Sequence, residues 1–143
     1  MNAHEYLSQA RYLDMQINSK IEQLSALNDL ATKCTTTISD MPRNPNHGKS
    51  SMEDTIVKII ALKEDINLDI DTLVDLKREI RESLKKLDNV EYQTLLENRY
   101  LSFMSWEKIA VGMNYSIQQI YRIRSRALKT LNNILKHESN VIE

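Results

Sequence analysis

The sequence predicts an all-α protein, with a long antiparallel, coiled-coil-like helical hairpin at the N-terminus and a helix-turn-helix bundle at the C-terminus. Three observations point there. The 143-residue chain holds two Gly and two Pro, with 27% charged and 41% hydrophobic residues, a balance that suits long helices better than sheets. Both prolines and one of the two glycines fall in one window, Thr35 to Met52, so the rest is almost free of helix breakers. Apolar residues recur at spacings of three and four, and β-branched residues never alternate over a strand length.

The first helix is expected over about Ala3 to Lys33. Tyr6, Ala10, Leu13, Ile17, Leu24, Leu27 and Ala31 form its stripe, with Lys20 in the missing heptad slot and Ile21 beside it. Residues 35–52 read as a linker. The second helix opens at a capping box, Ser50 to Glu53, and runs to about Leu87. Ile56, Ile59, Ile66, Ile70, Leu73, Ile80, Leu84 and Leu87 make its stripe, interrupted by Lys63 and Lys77. Sustained heptad-like spacing argues for a coiled coil. At 1.5 Å per residue the helices span roughly 47 and 52 Å, a length match for a hairpin.

Two paired helices make a thin core, and each large side chain left in water forgoes ~1.5–3 kcal/mol of burial. Leu62, Leu68 and Leu76 widen the second stripe beyond a strict seam. That excess is expected to serve as a homodimer surface or as a dock for the C-terminal bundle. The domains are therefore read as 1–87, the hairpin with its linker, and 88–143, the bundle.

A second capping box, Asp88 to Glu91, restarts the chain into a helix to about Phe103, with Leu95, Leu96, Tyr100 and Phe103 inward. Ser105 then caps a short helix bearing Trp106, an expected packing anchor. Ile109 and Ala110 supply its buried side, and Met113 fills the space under the following turn. Asn114 stands where helix-turn-helix motifs often carry glycine, and asparagine tolerates a left-handed backbone. Ser116 and Gln119 form the capping box of the last helix, whose Ile120, Ile123, Ala127, Leu128 and Leu131 face the core. Beyond Lys136 the tail is expected to fray.

Charge separates this last helix from the rest. Ser116 to Lys136 holds five cations (Arg122, Arg124, Arg126, Lys129, Lys136) and no Asp or Glu, in a chain of net charge −1. Glu53 to Asp75 holds seven acids against Lys58 and Lys63, a face that DNA would repel. A basic helix face entered through a tight turn is a DNA-reading arrangement. Ser116, Gln118, Tyr121, Arg122 and Ser125 lie at the front of the helix, within reach of major-groove base edges. Glutamine pairs with adenine and arginine with guanine, which makes Gln118 and Arg122 the preferred readers. Arg124, Arg126, Lys129 and Lys108 are placed for phosphates.

The run from Tyr92 to Leu131, YQTLLENRYLSFMSWEKIAVGMNYSIQQIYRIRSRALKTL, resembles region 4 of sigma-70-type factors, and most closely the small sigma-like regulators of bacteriophages and prophages. The LLENRYL helix, the Ser-Trp-Glu-x-Ile-Ala opening, the Met-Asn-Tyr-Ser turn and the Arg-x-Arg-Ala-Leu-x-x-Leu ending carry the resemblance. It implies a helix-turn-helix that contacts double-stranded promoter DNA together with host RNA polymerase, as an activator of phage genes. Nothing upstream looks like the aromatic-rich sigma module that melts promoters, since the one Trp and one Phe both lie inside the match. A small DNA-packaging (terminase) subunit and an anti-sigma or antirepressor module are the competing readings.

Other functions lack their residues. No carboxylate pair converges with a histidine, no Gly-rich phosphate loop exists, and no Cys/His cluster appears, so neither an enzyme, a metal nor a cofactor is expected. Cys34 stands alone, which fits a reducing cytoplasm. His4, His47 and His137 are expected at the surface. The start, MNAHEYLSQARYLD, has no charged-then-apolar signal pattern, and no segment approaches the ~18 apolar residues of a membrane span.

Overall fold

The structure, a computed structural model, describes the backbone of residues 1–40 and 45–142 and the side chains of residues 1–33 and 51–140. It is all-α, with no strand among the described residues. The helices are α1 (Ala3–Asp40), α2 (Pro45–Leu84), α3 (Val90–Leu96) with a π-helical turn directly after it (Glu97–Leu101), α4 (Trp106–Met113) and α5 (Ile117–Ile142).

Both long helices extend further into the 35–52 window than their apolar stripes. The linker read over 35–52 shrinks, because α1 continues to Asp40 and α2 begins at Pro45, leaving residues 41–44 outside the described ones. Proline at the first helical position is tolerated, since the N–H it lacks would have no partner there. Ser50 therefore lies inside α2, and the capping box expected at Ser50–Glu53 does not open it. Cys34 and His47 fall outside the described side chains. At its far end α2 stops at Leu84, and Leu87 is buried in the connection that follows.

The chain divides into two compact units. One is Met1–Leu13 with Leu73–Glu143, and the other is Asp14–Thr72. The start of α1 and the end of α2 thus belong with α3 to α5, whereas a boundary at Leu87 would part them. The reason is visible in the core of that first unit. Leu7, Ile80, Leu84, Leu87, Leu95, Leu96, Ile109, Ile120 and Leu131 are its large, fully buried side chains, drawn from both ends of the sequence. Ala3 donates its N–H to Asn132 Oδ1 on α5 at 3.1 Å, and the hydroxyls of Tyr6 and Ser83 meet at 3.1 Å. In the second unit the buried apolar side chains described are Ile17, Ile59 and Ile66. There Lys20 of α1 reaches Asp69 at 2.6 Å and Asp65 at 3.4 Å on α2.

Asn89, rather than Asp88, caps α3, its side chain accepting the N–H groups of Glu91 and Tyr92. The π turn then changes which residues face inward. Ser102 N–H bonds back to Glu97 C=O, five residues earlier, at 3.0 Å. An extra residue per turn puts positions five apart on one face, so Tyr100 and Leu101 are buried beneath the same side as Leu95 and Leu96. Phe103, expected inward, is half-buried instead and holds a left-handed backbone, φ 58°. Met104 N–H bonding Asn98 C=O at 3.0 Å and the Lys77 ammonium 4.6 Å from the Phe103 ring centroid fix that corner.

The α4–α5 connection follows from its residues. Ser105 Oγ accepts Lys108 N–H at 3.2 Å and caps α4. Asn114 is left-handed (φ 60°, ψ 39°). Tyr115 N–H returns to Ala110 C=O at 3.0 Å and Asn114 N–H to Val111 C=O at 3.3 Å, a Schellman closure. Two residues later the capping box is complete and reciprocal. Gln119 N–H bonds Ser116 Oγ at 3.2 Å, and Ser116 N–H bonds Gln119 Oε1 at 3.0 Å. Ile120, Ile123, Ala127 and Leu131 are buried, while Leu128 is only half-buried. The tail does not fray at Lys136. Here α5 continues to Ile142, and Glu138 pairs with Lys86.

Asn114→Val should destabilise the protein by about 1–2 kcal/mol in urea unfolding, because a β-branched residue pays the left-handed penalty in full. Asn114→Gly should lose far less. A second expectation concerns Tyr115, whose hydroxyl donates to the Glu91 carboxylate. That bond, then the carboxylate charge, raises the phenol above its ordinary value of 10.0. A group whose folded pKa is raised stabilises the protein below the unfolded pKa and loses the contribution as pH rises through the folded one. Tyr115 should thus ionise late in an alkaline absorbance titration, and Tyr115→Phe should remove that late-titrating phenol.

Candidate nucleic-acid interface

The face of α5 opposite its buried seam starts from spacing. Gln118, Arg122, Ser125 and Lys129 lie four, three and four residues apart, so they share one side of the helix, and all are exposed. Arg126, also exposed, flanks them. Among the described residues Arg122, Arg126 and Lys129 form no ion pair, and neither does Lys108 on α4, whose side chain is exposed. No acid on α5 before Glu138 offsets them. The surface is cationic, free of internal neutralisation, and carried on a helix whose entry is fixed by the turn.

The remaining sequence-predicted residues are partly engaged by the protein itself. The Ser116 hydroxyl is held in the cap by Gln119. Ser125 Oγ donates to Tyr121 C=O at 3.1 Å. Tyr121 is 45% exposed and meets Trp106 edge-on, with centroids 5.9 Å apart at 68°. Arg124 departs most from a phosphate-facing position. It is half-buried on the flank of α5, its guanidinium 5.4 Å from the Trp106 centroid.

Trp106 is half-buried and organises more than packing. Arg99, from the π turn, lies 4.7 Å from the same ring and donates through Nη1 to Met104 C=O at 3.0 Å. Arg11 of α1 comes close enough to act on it: burial first, then the charges of Arg11 and Arg124, push Arg99 below the ordinary arginine range. His4 Nδ1 and Tyr100 Oη are 2.9 Å apart beside them. Together these groups line a cavity of about 230 Å³. Arg11 and Arg99 were not legible as site residues, because they are distant in sequence and belong to no spacing pattern. Only the fold brings them to Trp106.

Among the described residues no group of three or more His, Cys, Asp or Glu could hold a metal ion. No described helix is long and apolar enough to cross a membrane.

No curated protein and no solved structure matches the chain. One family model does, over residues 44–132, a span that takes in α2, α3, the π turn, α4 and most of α5. With more than half of its length inside that match, the chain belongs to the family described as protein of unknown function (DUF1492).

Proposed function

We propose that the chain is a sequence-specific DNA-binding transcriptional regulator, an activator of phage or prophage genes that acts at promoters with host RNA polymerase. In this reading α4 and α5 form a sigma-like helix-turn-helix, and α5 enters the major groove. The observation that carries it is the Gln118–Arg122–Ser125–Lys129 face, exposed, cationic and unpaired, on a helix entered through the Asn114 turn and the Ser116–Gln119 cap. Gln118 and Arg122 read bases. Arg126, Lys129 and Lys108 meet phosphates. Arg124 contributes charge from the flank.

The long helices complete the reading as an antiparallel hairpin that joins two copies. Lys20 of α1 pairs with Asp65 and Asp69 of α2, which supports the two helices lying side by side in the unit Asp14–Thr72. The unit Asp14–Thr72 supports a second copy through its imbalance of apolar surface. Against the buried Ile17, Ile59 and Ile66, it exposes Val57 and Leu68 at 65% each and Ile60 at 53%. Those three are spaced to share a face of α2 away from the Ile59–Ile66–Leu73 seam. Covering what remains exposed of such residues yields roughly 1–2 kcal/mol each. Light scattering at micromolar concentration should therefore report a dimer. A large ring would favour the terminase reading.

The DNA assignment is tested on the full chain, since removing residues 1–87 would strip Leu7, Ile80 and Leu84 from the core that supports α5. Genome-wide mapping of bound sites supplies the cognate sequence. There Arg122→Ala should cost about 1–3 kcal/mol and relax preference at one position. Lys129→Ala should weaken cognate and random DNA alike and lower the salt slope by about one unit. With helicity intact by circular dichroism, undiminished binding by both variants would turn the assignment toward a protein-binding module.

A further inference from the structure

We propose that the cavity bounded by Arg11, Arg99 and Arg124 beside Trp106 is a phosphate-binding site. Three guanidinium groups converge there from α1, the π turn and α5, and among the described residues no Asp or Glu lines the cavity. What holds two of them together is an aromatic ring rather than an acid, with Arg99 and Arg124 lying 4.7 and 5.4 Å from the Trp106 centroid. A neutral platform keeps like charges close without cancelling them. Glu107, next to Trp106, is exposed and forms no ion pair among the described residues, and it acts on Arg99 more weakly than either neighbouring arginine does.

Arg124 adds an independent sign. Its Nε is buried without a hydrogen-bond partner among the described residues, so no acceptor there anchors the guanidinium through that atom. An oxyanion seated among the guanidiniums supplies acceptors for their terminal N–H groups. Phosphate fits better than a lone carboxylate, because a phosphate monoester carries close to two charges and three acceptor oxygens. Arginine's planar fork matches it with paired hydrogen bonds. The volume of about 230 Å³ lies below that of drug-sized pockets and suits a small anion or the phosphate end of a larger one. Two sources share this chemistry, a free phosphate ester and a backbone phosphate of bound DNA.

Trp106 is the single tryptophan of the chain and sits at the site, so its fluorescence reports occupancy directly. Full-length protein in a phosphate-free chloride buffer is titrated with inorganic phosphate, with adenosine monophosphate and with acetate at matched ionic strength. The expected result is a saturable emission change with the phosphate probes and none with acetate. Arg11→Gln, an exposed position on α1, should weaken that binding about tenfold. Arg11→Lys, which keeps the charge without the fork, should recover part of the loss. Lys63→Ala, an exposed position in the other unit, should leave it unchanged. A backbone source is indicated when unlabelled duplex displaces phosphate and Arg11→Gln lowers the salt slope for DNA by about one unit. A free ester is indicated when phosphate binds and the DNA salt slope does not move. Equal responses to acetate and phosphate, or no effect of either Arg11 variant, would overturn the site. These titrations contain no base-reading step, so they stand or fall separately from the Arg122 and Lys129 measurements.

Discussion

The orientation of α5 depends on three consecutive residues. Asn114 must adopt a left-handed backbone, Tyr115 must return its N–H to Ala110 C=O, and Ser116 must accept Gln119 N–H. Together these bonds satisfy carbonyls at the end of α4 and an amide at the start of α5, groups that otherwise stay unpaired at helix termini. They also set the rotation of α5 about its own axis. Ile120, Ile123, Ala127 and Leu131 are thereby turned into the core, and Gln118, Arg122, Ser125 and Lys129 are turned outward by the same act. A slip of one residue would rotate the helix by about 100° and exchange part of each face. The cationic surface is thus a consequence of the turn as much as of the arginines.

That turn rests on a core assembled from distant parts of the chain. Leu7 from the first turns of α1 and Ile80 and Leu84 from the end of α2 are as fully buried as Ile109 and Ile120. The Tyr115 hydroxyl ties the connection to Glu91 at the start of α3, and Ala3 N–H ties α1 to Asn132. Each contact is local in space and remote in sequence. Such a core is cooperative, because α5 cannot keep its seam buried once α1 or α2 is removed from it.

Much of this was legible in the residues, and the parts that were not share a cause. Period and capping chemistry located α3, α4 and α5, the left-handed Asn114 and the Ser116–Gln119 box, since each depends on neighbours within five positions. The helix ends around residues 35–52 differ from the sequence expectation, because the window's prolines and glycine suggest a loop while Pro45 is compatible with a helix start. The π turn hid its signal in the same way. Its sequence, ENRYL, carries no marker of an inserted residue, so Leu101 rather than Phe103 proved to be the buried partner of Tyr100. On the candidate interface, Gln118, Arg122, Arg126 and Lys129 lie exposed where spacing puts them. Arg124 does not, because a tryptophan from another helix competes for its guanidinium.

The competition at Trp106 bears on how the two cationic surfaces of the first unit relate. Arg122 and Arg124 are two positions apart, about 200° around α5, so they cannot serve one flat surface. Tyr121 lies between them on the helix circumference and contacts the Trp106 edge. An anion held by Arg124 would therefore bear on the ring that Tyr121 leans against, and Tyr121 borders the outward face. Any coupling between the two surfaces would pass through that aromatic contact. It gives Trp106 a place in the chemistry of the molecule that packing alone would not, since a leucine there would fill space but hold neither arginine.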